Sequence, residues 1–147
     1  MNRNDAIQWD PEFDTGETGM DAAHHEFVEL VRALIECPDA EVERRLAAFA
    51  RHAEGHFADE DRAMKGGYAS AQCHLDEHEA VLASVAEVSS LVAAGNLAIG
   101  RRLARELARW FPEHTLAMDR GLAAWQLKQR LGGARVVVTR KPQAVSP

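Results

Sequence analysis

Seven histidines stand in a chain of 147 residues that carries only two cysteines and one tyrosine. Five of them fall into spacings that suit metal ligation. His56 and Glu60 are four residues apart, and so are His74 and His78. In a helix, residues i and i+4 lie on one face, so each pair can present its donors in one direction. His24 precedes an apolar run, and His114 is followed five residues later by Asp119. Imidazole with carboxylate is a donor set for redox metals such as manganese, iron and copper, whereas calcium and magnesium ask for oxygen alone. A lone histidine on a helix is ordinarily a surface or hydrogen-bonded core residue. Donors on four separate segments form a different pattern. Unpaired carboxylates among apolar stripes are costly, and a cation removes that cost.

Seven donors are too many for one tetrahedral zinc. Two metals fit better, because Glu60 and Asp119 have two oxygens each and can bridge a pair. His74, His78 and His114 come from the adjacent third and fourth segments and can cap one metal. His24 and His56 come from the first and second and cap the other. With one bridging oxygen from water, the first metal has three nitrogens and three oxygens and is full. The second has two nitrogens and three oxygens and keeps one open position. The Glu-x-x-His motif of carboxylate-rich di-iron bundles is absent, since no histidine has a glutamate three residues before it.

Four helices are expected to carry these groups. Asp21 opens the first, its carboxylate capping the N–H of His24, and Phe27, Leu30, Val31, Leu34 and Ile35 recur at helical spacing until Pro38. The second runs from Asp39 to Gly66 and Gly67, the third from Ser70 to Gly95, and the fourth from Asn96 to near Gly132. Short connections make neighbours antiparallel, so the fold class is all-α: an antiparallel up-down-up-down four-helix bundle with an extended N-terminal arm. The arm covers residues 1–19, the bundle 20–132 and a mobile C-terminal tail 133–147. Pro112 interrupts the fourth helix by removing a hydrogen bond to residue 108. Five steps of about 100° would set His114 and Asp119 about 140° apart on a regular helix. Both can face one metal pair only if the helix is irregular between Ala108 and Asp119, for instance at a π-bulge.

Composition limits the functions available. The formal charge of -6 argues against nucleic-acid binding, which needs clustered Lys and Arg. No run of about 18 apolar residues is present to span a membrane. The N-terminal residues lack the apolar stretch of a secretory leader, and two cysteines suit reduced thiols, so a cytoplasmic location is expected.

The residues just described resemble the hemerythrin family. The resemblance is carried by Trp9 and Asp10, Asp21-Ala-Ala-His24 with Phe27, His56-Phe-Ala-Asp-Glu60 with Met64, Tyr68, His74-Leu-Asp-Glu-His78, and Trp110-Phe-Pro-Glu-His114 followed by Asp119. It spans roughly residues 9 to 122 and finds a counterpart for all seven family ligands. It implies two iron ions (Fe2+/Fe3+) bridged by Glu60, Asp119 and an oxo or hydroxo group. It also implies reversible dioxygen binding at the iron held by His24 and His56, for oxygen storage, delivery or sensing, with an oxygen-consuming enzyme as a partner. By family position, Phe27, Phe57, Trp110, Phe111 and Thr115 line that position. Thr115 departs from the usual isoleucine, and its hydroxyl suggests faster autoxidation. The alternative is a di-iron oxidase, peroxidase or nitric-oxide-handling enzyme at the same iron. No acid or base beyond the ligands is evident beside it, so no catalytic residue is assigned. His25 should point away from the centre, His52 is expected on a solvated face, and neither Cys37 nor Cys73 has an assigned role.

Overall fold

The structure is a computed structural model that describes residues 7–132. The expected tail at 133–147 lies outside the described residues. Helix α1 spans Thr18–Glu36, α2 Val42–Met64, α3 Ala71–Ala93 and α4 Leu97–His114. A π-helical turn at Thr115–Asp119 joins α4 to α5, Arg120–Arg130. Helix α1 packs on α2 and α4, and α3 packs on the same two, which closes an all-helical four-membered ring. The segment from α4 through α5 forms its fourth rod. Among the described residues there is no strand.

The helix starts are only partly those expected. Glu17, not Asp21, caps α1: its side chain accepts from the Met20 N–H at 2.6 Å. The helix therefore begins four residues early, and Asp21 turns backwards to accept from the Thr15 N–H at 2.8 Å and hydroxyl at 2.7 Å. Asp39 opens a short 3-10 turn ahead of α2, and Ser70 makes no capping hydrogen bond at α3. Asn96 does cap α4, accepting from the Ile99 N–H at 3.3 Å. Gly95, at φ 102°, supplies the left-handed residue that closes α3.

The described part of the N-terminal arm, from residue 7 onward, lies against the bundle. Pro11–Phe13 form a 3-10 turn that Asp10 caps through the Glu12 N–H. Two aromatic side chains give this segment apolar area to bury. Phe13 sits edge-on to Phe111 at 5.4 Å, and Trp9 stacks on His25 at 3.5 Å. At the far end of α1, Arg101 donates to the carbonyls of Ile35 and Cys37 at 3.0 and 2.7 Å and pairs with Asp39. A cation there satisfies orphan carbonyls and opposes the negative end of the helix dipole.

Among the described residues the interior has two apolar regions. The larger runs from Phe27, Phe57 and Phe111 through Val31, Leu34, Phe49 and Val85 to Val92. A smaller cluster of Met20, Met64, Leu122 and Ala123 closes the other end, with Tyr68 and Trp125 against it. The donor-bearing residues of α1 to α4 lie in sequence between these two sets, so the polar layer is shielded by apolar side chains on both sides. In the π turn the Arg120 N–H donates to the Thr115 carbonyl five residues back. That wider turn is the irregularity the five-residue spacing required, and it begins directly after His114.

Candidate metal centre

Every helix of the ring delivers donors to the polar layer. Helix α1 carries His24, α2 carries His56 and Glu60, α3 carries His74 and His78, α4 carries His114, and the π turn carries Asp119. All seven side chains are buried, from 0% exposure at His24 to 8% at His56.

The two carboxylates each divide their oxygens between two sets of histidines. Glu60 Oε1 lies 3.2 Å from His56 Nε2 and 3.5 Å from His24 Nε2. Its Oε2 lies 3.0 Å from His78 Nε2 and 3.3 Å from His74 Nε2. Asp119 Oδ2 is 3.1 Å from His24 Nε2, while Oδ1 is 2.9 Å from His74 Nε2 and 3.1 Å from His114 Nε2. Thus both carboxylates turn one oxygen to the pair His24 and His56, or a member of it, and the other to the trio His74, His78 and His114. Donor atoms of the trio, Glu60 and Asp119 all lie within 4.8 Å of one another, and so do those of His24, His56 and Glu60.

The polar atoms of this layer are largely without hydrogen-bond partners. They include Nε2 of His24, His74, His78 and His114, both oxygens of Glu60, and Oδ1 of Asp119. Buried polar atoms left unpaired are expensive and rare. Here they converge, and their chemistry is nitrogen and carboxylate oxygen, so a pair of transition-metal cations fits the residues present.

Charge tells the same story. Burial opposes ionisation of both carboxylates, yet the close approach of the His24, His74 and His78 imidazoles holds Glu60 well below the usual range. The imidazoles of His114, His24 and His74 do the same for Asp119. Burial also disfavours charge on His24, but Asp119 and Glu60 overcome it and raise the imidazole from 6.5 to about 9. His74 is raised to about 9 by the same two carboxylates against the same penalty. Burial pushes His56 down to about 4, with Glu60 pulling the other way. Without metal, the two carboxylates therefore favour the charged forms of His24 and His74, in positions where cations would replace those protons.

The expected lining residues gather on one side of this layer. Phe27 stacks on Phe111 at 5.0 Å, and Phe111 meets His24 edge-on at 5.3 Å. Trp110 lies 6.2 Å from Phe27 and 6.1 Å from Phe57, which makes the aromatic group continuous. Thr115 is fully buried, with its hydroxyl 3.4 Å from Nδ1 of His24. On the other side, a cavity of about 230 Å³ reaches His56 and Glu60 between Glu17, Met20, Asp59 and Gln126.

Two residues escaped the sequence reading. Asp61 Oδ1 lies 2.8 Å from His78 Nδ1, and Glu77 Oε1 lies 3.0 Å from His114 Nδ1. Each is the chain neighbour of a donor and serves a histidine of the next helix. His52 also differs from expectation: its side chain is 10% exposed, stacked 5.6 Å from His56 and 3.4 Å from Glu26. Cys37 is buried, Cys73 is exposed, and both thiols are free.

A four-helix bundle that buries a histidine-rich, doubly carboxylate-linked donor cluster defines a class of metal-binding proteins. Residues 15–125 match the family described as hemerythrin HHE cation binding domain. The chain is 39% identical over 130 residues to the bacteriohemerythrin of Ralstonia nicotianae, covering 88% of this chain and 94% of that one. It belongs to the hemerythrin family.

Proposed function

We propose that the chain binds dioxygen reversibly at a non-heme di-iron centre. The observation that carries this is the division of the donors, three histidines to one position and two to the other. Both positions share Glu60 and Asp119. Iron, when bound, supplies the change of oxidation state that lets dioxygen bind and leave. His74, His78 and His114 fill one position with protein donors. His24 and His56 leave the other one donor short, and that is where a diatomic ligand enters. Phe27, Phe57, Trp110 and Phe111 exclude water there, and a dry site limits loss of reduced oxygen species. Thr115 orients His24 through its outer nitrogen.

The family and the relative's name point to a binding protein rather than an enzyme. Among the described residues no helix is long and apolar enough to cross a membrane. Storage, delivery and sensing of oxygen share this chemistry. The test is to reduce the iron-loaded protein without air, admit air and then purge with argon. A visible absorption band that forms and then disappears supports carriage. Bleaching with release of peroxide would favour an oxidase instead.

A further inference from the structure

The two proposed metal positions differ by one histidine, and they differ also in what stands behind the histidines. Asp61 of α2 meets the outer nitrogen of His78 on α3 at 2.8 Å. Glu77 of α3 meets the outer nitrogen of His114 on α4 at 3.0 Å. A carboxylate in that place keeps the ring proton on Nδ1 and leaves the Nε2 lone pair for a metal. Those Nε2 atoms are the ones that face Glu60 at 3.0 Å and Asp119 at 3.1 Å. The ring faces are held as well. Phe57 stacks on His78 at 4.1 Å, within 6° of parallel, and Trp110 stacks on His114 at 4.2 Å.

The other position lacks this support. The outer nitrogen of His24 meets a neutral hydroxyl, that of Thr115, at 3.4 Å. Among the described residues, the carboxylate contacts of both His24 and His56 run through Nε2 alone.

We propose that Asp61 and Glu77 are positioning residues that make the centre fill in order. The three-histidine position takes its cation first and holds it more tightly, and the two-histidine position fills second. This rests on the two-metal reading above. A carboxylate on the outer nitrogen makes the imidazole a stronger donor and fixes its orientation before the metal arrives. Two of the three histidines at one position have that advantage, and neither histidine at the other does.

The test is an anaerobic titration of the full metal-free chain with cobalt(II), followed by calorimetry and by the cobalt visible spectrum. The expected result is two equivalents in two resolved steps, with a one-cobalt spectrum at half loading. Asp61→Asn and Glu77→Gln keep an acceptor oxygen but remove the charge. Together they should weaken the first step by about 10–100-fold, the range typical of such outer partners. The second step should stay nearly unchanged, so the one-cobalt species fades. Carboxylates that merely tie neighbouring helices together would lower the stability of the metal-free chain and leave the ratio of the two steps alone. An unchanged ratio in the variants therefore overturns the proposal. So do two equivalents of equal affinity in the unaltered chain, a result that needs no variant to fold. A total other than two cobalt ions overturns the two-metal reading itself.

Discussion

Phe27→Ala is the substitution that probes packing and function at once. Phe27 is 1% exposed, stacked on Phe111 at 5.0 Å and edge-on to Phe49 at 5.1 Å. Truncating a phenylalanine so placed costs about 3–5 kcal/mol, the sum of lost transfer energy and the cavity left behind. Two close aromatic pairs put the expected value in the upper half of that range. A domain of ordinary stability has about 5–15 kcal/mol in hand, so the metal-loaded variant should still fold. The cavity would open beside His24, because Phe111 contacts both rings. A void bordered by polar groups admits water, whereas a wholly apolar one stays dry. Urea unfolding of the loaded protein reads the first effect as a lower midpoint at unchanged slope. The decay of the air-exposed absorption band reads the second, and it should quicken severalfold. Phe27→Leu should restore most of both. A loss below about 1 kcal/mol would refute the packing argument. A full loss of stability with an unchanged decay rate would refute the role of Phe27 in keeping the position dry.

Further outcomes follow from the same geometry. Thr115→Ile should slow autoxidation by removing a buried hydroxyl beside His24, and an oxygenated form that decays no more slowly would contradict this. Asp119→Ala would take an oxygen from both proposed positions, so metal analysis should find fewer than two irons per chain. In the metal-free protein, His24 and His74 are raised from 6.5 to about 9. Their stabilising contribution is then complete below pH 6.5 and is lost as pH rises through about 9. The two contributions are not additive, because both histidines share the same carboxylates. Urea midpoints of the metal-free chain at pH 6.5 and 9.5 should differ in that direction, and a flat profile would count against the charge balance. Arg101→Ala should cost about 1–3 kcal/mol, because the carbonyls of Ile35 and Cys37 lose a charged donor, as thermal or urea unfolding would show.

The sequence made the donors legible because helical spacing aligns them. His56 with Glu60 and His74 with His78 needed only the i to i+4 rule. His114 with Asp119 broke that rule, and the break itself forecast the widened turn at Thr115–Asp119. Asp61 and Glu77 were hidden for a physical reason. Each reaches across to the next helix, so no spacing within one helix marks it, and each looks like an ordinary surface carboxylate beside a candidate donor. The start of α1 was misread because Glu17 and Asp21 are both capping-competent and only the folded arm decides between them. The arm has no periodicity to mark where it docks, and in its described part Trp9 and Phe13 supply the apolar area that meets the bundle. His52 was expected on a solvated face although it stands one turn before His56, and the neighbouring Phe27 and Glu26 side chains cover it.

The most direct measurement is oxygen uptake by the reduced, iron-loaded chain, quantified together with its iron. The account predicts two irons per chain and one dioxygen taken up for each pair, returned intact under argon over repeated cycles. One iron per chain, or oxygen consumed without being returned, would contradict it.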